Sequence, residues 1–295
     1  MFGWLAYLWL SPGPAPYHYK MTEEGGIEKF GKLGLDAWPD LSISRQEIVV
    51  EGVDEPVAAA YLARRGNTKP VMLAWENHLD QQIIFVDSKL SELTILAPAI
   101  AKHMPKDAVI LAWWDTSRQI QLLTGLETVF TSHLSEPLIT PSFWRPQIEA
   151  IEKYERQFWG STASAEERGK FQRFADALLA EPTEGAAMLR ELTGGREAYV
   201  VVHISDLYKL GMMRPDRIGV AYKDFPVKGS GDVHGLSENN VRAYFLTDDK
   251  SVNTLLAQML PMTTSLILEI KAVEMVYKHG GYLVYKIPSA QPSNN

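Results

Sequence analysis

Three near-continuous apolar runs, each closed by polar groups, constrain the fold more than anything else in the chain. They are residues 71–75 (VMLAW) before Glu76-Asn77-His78, 109–114 (VILAWW) before Asp115, and 198–204 (AYVVVHI) before Ser205-Asp206. Successive side chains of a strand point to opposite faces, so a strand that is apolar throughout needs cover on both. A parallel sheet between helices provides it. Helical patterns follow the first two runs: 90–103, with Pro98 inside and Pro105 beyond, and 116–123, with Gly125 placed as a C-cap. The strings MLAWEN and ILAWWD lie about 38 residues apart, the rhythm of successive βα units.

Around these runs the pattern changes. Residues 47–51 and 57–62 read as paired strands about an Asp54-Glu55-Pro56 turn, 64–68 as a further turn, and 21–40 as loop with a short helix. The middle is helical: Ile148, Ile151, Tyr154 and Phe158 recur at helical spacing, as do Phe171, Phe174, Ala175, Leu178 and Leu179, and a third helix over 183–192 stops at Gly194-Gly195. Hydroxyls within 160–164 offer an N-cap for the second of these. Residues 217–222 and 241–246 read as strands flanking a glycine-rich loop, 228–235. The C-terminal part reads as a hairpin, 268–277 and 282–287 about His279-Gly280-Gly281. The fold class expected is therefore α/β: one mixed sheet with parallel βα units in the first half, a helical middle and an antiparallel C-terminal hairpin. A single domain spans 21–288, and 289–295 form a disordered tail.

Charge and composition exclude several functions. The chain carries a net charge of −7 and no basic stripe, which argues against a nucleic-acid partner. It has no cysteine, so a thiolate nucleophile, cysteine-held zinc or iron–sulfur clusters and covalent haem attachment are excluded. No cofactor is predicted. Residues 2–10 (FGWLAYLWL) are apolar or aromatic at all positions but Gly3, then give way to Ser11-Pro12-Gly13-Pro14-Ala15-Pro16. A spanning helix needs about 20 apolar residues. The run is read as the exit half of a membrane anchor, with residues 1–20 as anchor stub and Pro-rich spacer; the alternative is a first helix packed on the domain.

In open α/β sheets, ligands gather beyond the carboxyl ends of the strands. If the three runs are neighbours, Glu76, His78, Asp80, Asp115, His203 and Asp206 share one crevice, suited to a small ligand, a divalent metal or acid–base chemistry. Glu76, His78 and Asp80 fall at i, i+2 and i+4, one face of an extended segment, though no metal is assigned. The plainer alternative is that Asn77, Asp115 and Ser205 cap the following helices. Neither a P-loop ending at Gly229-x-Gly231 nor a nucleophile elbow around Ser205 is present.

Trp113-Trp114-Asp115 resembles the Trp-Trp-Asp motif in the soluble domain of oligosaccharyltransferase catalytic subunits, which reads the hydroxyl-bearing residue of an acceptor peptide. The likeness extends to this strand and helix and the hairpin-like C-terminal end. Without the multispan membrane half that carries catalysis there, glycosyl transfer is not expected; peptide binding at Trp113, Trp114 and Asp115 is what the resemblance implies.

A broader resemblance rests on PGPAPYHYK at 12–20 and AWWDTSRQIQLLTG at 112–125. With these, the chain is similar to the HaoB family, the hydroxylamine oxidation accessory proteins. The resemblance implies a periplasmic domain tethered to the inner membrane that works with the hydroxylamine oxidoreductase and has no established catalytic residues. A docking protein of this kind is expected to expose an apolar patch, with Phe143, Trp144, Phe158 and Trp159 as candidates and Phe158 favoured as core.

Overall fold

The computed structural model describes residues 14–79, 89–160, 163–226, 240–261 and 270–288. Four strands, β1 (Tyr17–Gly26), β2 (Leu41–Val50), β3 (Ala58–Arg65) and β4 (Val71–Asn77), form an antiparallel sheet in sequence order. A second sheet has the order β10-β11-β7-β5-β6, from β5 (Val109–Ala112), β6 (Glu127–Thr128), β7 (Ala198–His203), β10 (Glu274–His279) and β11 (Tyr282–Ile287). In it β5 runs parallel to β6 and β7, while β11 is antiparallel to β7 and β10. A separate ribbon pairs β8 (Val220–Pro226) with β9 (Asn240–Leu246).

Helices α1 (Leu90–His103) and α2 (Trp114–Thr124) lie between the two sheets. Their apolar residues, Leu93, Leu96, Ile100, Ile120 and Leu123 among them, share a core with Ile43, Ala63 and Leu73 of the first sheet and Ile110, Ala112, Tyr199, Val201 and Val284 of the second. The alternate residues Leu111, Val200, Val202 and Leu283 enter a separate core on the far side. There they meet α4 (Ala165–Leu179), α5 (Pro182–Leu192), α6 (Asp206–Met213) and α8 (Leu255–Met259). This is why 109–112 and 198–202 are apolar at every register: each face of β5 and β7 has its own helical layer. The outer face of the first sheet is covered by α3 (Ile148–Phe158), with Ile48, Ala58, Ala60, Leu62 and Met72 packed toward Ile151 and Trp159. A short α7 (Asp249–Val252) precedes α8.

The α/β class, the βα unit β5-α2-β6, the helical middle and the C-terminal hairpin are as expected from sequence. One neighbour relation is not. β4 pairs with β3, in the other sheet from β5 and β7. The connection between β3 and β4 is only 66–70, with Gly66 left-handed at φ 56°, and a link this short joins antiparallel neighbours. The hairpin connection outweighed the parallel-strand look of VMLAW. β1 also lies within the stretch read as spacer and loop. It is an edge strand with half of its positions exposed and only Tyr17 fully buried, so it carries little apolar pattern to read. The expected loop 228–235, the tail 289–295 and the apolar run 2–10 fall outside the described residues.

Because β4 is an edge strand, its outer carbonyls need partners. α2 supplies them from side chains: Arg118 donates to the Pro70 carbonyl at 2.7 Å and the Gln119 amide to that of Met72 at 2.9 Å. Both donors are buried, so this polar seam joins the two sheets. Trp38 adds a third tie, its indole N–H donating to the Leu123 carbonyl at 2.7 Å.

The helices of the far core approach closely at Gly185. A Cβ there would stand 2.4 Å from the Ala177 carbonyl oxygen and 2.9 Å from Leu255 Cδ2, so backbone itself blocks a side chain. Gly169, on the exposed side of α4, would meet nothing within 4 Å. Gly185→Ala is therefore expected to destabilise by about 1–3 kcal/mol through overpacking. Gly169→Ala is expected to stabilise by about 0.5–1 kcal/mol through helix propensity. Denaturant midpoints of the two variants check the pair.

Candidate functional site

The strand ends of the second sheet converge as the sequence indicated for two of the three runs. β5 ends at Ala112 and passes directly into α2; β7 ends at His203 and passes through Ser205 into α6. Asp115 and Asp206 thus both occupy the first turn of a helix, where the positive end of the helix dipole favours a carboxylate. Both are buried, and between them lies Lys209. Its ammonium is 3.3 Å from Asp115 Oδ2 and 3.2 Å from Asp206 Oδ1, and it sits over the Trp113 ring at 5.3 Å. The remaining acceptors are used: Asp115 Oδ1 takes the Thr116 backbone N–H at 2.6 Å, and Asp206 Oδ2 takes that of His203 at 2.8 Å. Burial opposes the charge on Lys209, but the two aspartates outweigh it and hold its affinity for the proton above the ordinary lysine range. A lysine held as the ammonium between two carboxylates is an internal counter-ion and lacks the free amine that a nucleophile or base requires.

His203 stands beside this triad. Its Nδ1 accepts the Ser205 backbone N–H at 3.2 Å and lies 2.7 Å from Ser205 Oγ. That places the ring hydrogen on Nε2, which faces Glu92 of α1. The separation from Glu92 Oε2 is 3.8 Å, too long for a hydrogen bond. The same carboxylate oxygen accepts the Gly281 N–H at 2.6 Å. Burial opposes the Glu92 charge, yet the His203 ring and the Gly281 N–H overcome it and hold the carboxyl below its ordinary value. The hairpin turn must be glycine for this approach. A Cβ on Gly280 would lie 2.2 Å from the Glu92 carboxyl carbon, and one on Gly281 2.4 Å from His203 Nε2. Ser205 is fully buried, and its hydroxyl touches the wrong ring nitrogen for a catalytic serine oriented through Nε2.

The other candidates go elsewhere. Glu76 accepts from the Tyr61 hydroxyl at 3.1 Å, and exposed His78 contacts the Pro56 carbonyl at 2.7 Å, both in the first sheet. The crevice shared by all three runs is thus corrected: β4 ends in a different sheet, so Glu76 and His78 belong to another layer. Asp80 lies outside the described residues. Among the described residues no three histidine or carboxylate side chains are grouped to hold a metal ion. The capping alternative is corrected as well. No helix follows Asn77 directly, Asp115 lies inside the first turn of α2, and Ser205 makes no side-chain cap.

Trp113 and Trp114 do not lie on the strand. The strand stops at Ala112, and both indole N–H groups donate to one carbonyl, that of Glu136, at 3.3 and 2.5 Å. All three residues of the Trp-Trp-Asp string are at least 93% buried, so none offers a surface to a peptide. Trp114 continues into an aromatic layer through His133, which stacks on Trp159 at 4.4 Å. Burial, with Arg118 and Arg168 nearby, drives the His133 value well down. Beyond it, buried Glu155 accepts from Tyr17, from Trp159 Nε1 at 2.9 Å and from the Tyr19 hydroxyl at 3.2 Å. Burial pushes the Glu155 carboxyl up and these donors pull it back only in part. Of the candidate surface aromatics, Trp144 and Trp159 are core, Phe158 is half-buried and Phe143 is exposed.

Sequence reasoning missed Lys209 and Glu92. Lys209 carried a signal: it is a lone cation in LYKLGMM, three residues after Asp206 on a buried helix. Glu92 carried none, since its partner Gly281 is 189 residues away.

The fold and site together define an α/β protein whose strand-end rim is closed by a buried carboxylate–ammonium–carboxylate bridge. The chain belongs to the family described as HaoA-associated protein HaoB, whose model matches residues 1–240 and 232–287. Among solved structures it is similar to the C. jejuni PglB C-terminal domain, at 10% sequence identity and a TM-score of 0.38, over 66% of this chain and 99% of that one. That likeness is too slight to carry an argument. No curated protein sequence matches the chain.

Two outcomes follow from the bridge and its neighbour. Lys209→Met leaves two buried carboxylates unpaired and is expected to destabilise by about 3–5 kcal/mol. Adding Asp115→Asn and Asp206→Asn should recover a large part of that loss in chemical denaturation. A depressed Glu92 value means its stabilising contribution is complete above the ordinary carboxyl value of 4.5 and fades as the pH falls through the lower folded value. Glu92→Gln should therefore narrow its stability deficit against the parent as the pH is taken from about 6 to about 3. A deficit that stays constant or widens would contradict the assignment.

Proposed function

We propose that the protein is a membrane-tethered periplasmic accessory protein that acts with the HaoA hydroxylamine oxidoreductase in hydroxylamine oxidation, without catalysing a step itself. Membership of the HaoA-associated family carries this reading. The arrangement of the strand ends supports the non-catalytic part: Asp115, Asp206 and Lys209 are spent on one another, and Ser205 and His203 on their own turn. The run 2–10 supports the tether, being apolar and rich in the aromatic residues that favour the membrane–water interface. No helix among the described residues is long and apolar enough to cross a membrane. Tethering confines both partners to one membrane surface, where a raised effective concentration lets a weak contact suffice.

Co-purification tests the association. Affinity capture of the full chain from gently solubilised membranes at low salt is expected to retain the oxidoreductase, with loss as salt is raised if rim charges contribute to the contact. Capture at high protein concentration and low salt that brings down no oxidoreductase overturns the partnership. Oxidation of hydroxylamine by this chain purified alone would overturn the non-catalytic assignment.

A further inference from the structure

The apolar N-terminal run and the aromatic layer around Glu155 are joined by very little chain. Residue Ala15 already packs against the core that holds Tyr17, Trp144, Ile151 and Trp159. Only five peptide units lead from Leu10 to Ala15, a reach of at most ~17 Å. A domain of this length is roughly 50 Å across, from a radius of gyration near 18 Å. A bilayer that accepts residues 2–10 therefore lies close to this end of the domain and out of reach of the opposite end.

This end carries an exposed aromatic ring. Phe143 is 58% exposed, on the 3-10 turn Ser142–Gln147 that leads into α3. Its ring lies 5.5 Å from that of Trp144, which stacks on Tyr17 at 5.1 Å. The exposed ring is thus two aromatic contacts from the strand that follows the N-terminal run. Local charge also differs from the whole. The turn and the outward side of α3 present Arg145, Lys153 and Arg156 against Glu149 and Glu152, on a chain whose net charge is −7.

We infer that the surface centred on Phe143 faces the membrane, with the ring seated at headgroup level and Arg145 beside the lipid phosphates. The occupant is a bilayer because the apolar run enters the domain here, because interfacial aromatics favour this depth, and because the local charge suits anionic lipid. The inference rests on the tether proposed above.

The absence of cysteine allows single labelled sites in the full chain. Phe143→Cys and Phe225→Cys each carry an environment-sensitive fluorophore; Phe225 is an exposed ring on the ribbon formed by β8 and β9. Both proteins are mixed with vesicles of phosphatidylethanolamine and phosphatidylglycerol containing a nitroxide-labelled lipid. Both are expected to float with the vesicles, while only the label at 143 shifts to the blue and is quenched several-fold. Flotation with no change at 143, or with equal changes at both sites, overturns the orientation and leaves the tether standing. Failure to float overturns both. A label at 143 that responds to added oxidoreductase and not to vesicles assigns the face to the protein partner and overturns the inference.

Discussion

The parallel pairing of β5 with β7 is the constraint on which the rest of the structure depends. It sets Val109 opposite Ala198 and Ala112 opposite Val201, so the carboxyl ends lie side by side, with β7 running on to His203. Each then turns immediately into a helix, and each helix begins with a buried acid, Asp115 in α2 and Asp206 in α6. Two carboxylates brought together in a dry interior repel, and water cannot screen them. Lys209, one turn into α6, resolves the conflict created by the register itself. The site that the fold prepares for a ligand in many open sheets is here filled from within.

The same pairing explains what the sequence could disclose. Residues covered on both faces must be apolar at every position, so 109–112 and 198–202 announce themselves. Gly125 at φ 73° and the His279-Gly280-Gly281 turn were legible because backbone geometry restricts the residue type. β4 misled because it too is apolar over 71–73, yet it gains its cover from α2 on one side and the α3 layer on the other. Apolarity reports that both faces are covered and says nothing of which strand lies alongside. The short 66–70 connection held that information. β1 was illegible for the opposite reason: only Tyr17 and Tyr19 at its start reach the core, and the rest of this edge strand has too little burial to imprint a pattern on its sequence. In the candidate site, Asp115, His203 and Asp206 were readable as strand exits, while Glu92 was not, because nothing local marks a carboxylate that meets a hairpin on a distant part of the chain.

Joining two sheets through a helix normally relies on apolar contact, and α2 has that on one stripe only. Its first turns are Asp115, Thr116, Ser117, Arg118 and Gln119, all buried. Asp115 bridges to Lys209, the Ser117 hydroxyl closes on the Ala112 carbonyl, and Arg118 and Gln119 cap the edge of β4. Burial lowers Arg118 to about 10 even though the Asp115 and Glu167 charges favour its charged form. A polar helix of this kind fixes position better than a greasy one, because an unmade hydrogen bond in a dry seam costs more than a shifted methyl contact. The two sheets are therefore held in one relative placement.

That rigidity bears on how a tethered accessory protein would work. The strand that follows the N-terminal run is not simply laid on the domain. Tyr17 and Tyr19 are tied to Glu155, Tyr19 stacks on Phe158 at 3.9 Å, and Trp159 passes the contact through His133 to Trp114 at the head of α2. From α2 the seam runs to β4 and the bridge to α6. The proposed anchor, entering at β1, would thus be joined, through packed rings and buried hydrogen bonds, to both sheets. A flexible joint would let a tethered domain sample every orientation and dilute the benefit of confinement. An entry point locked into the core would remove that freedom, so the short link of the proposed tether would constrain both where the domain sits and which of its faces a partner in the same membrane could meet.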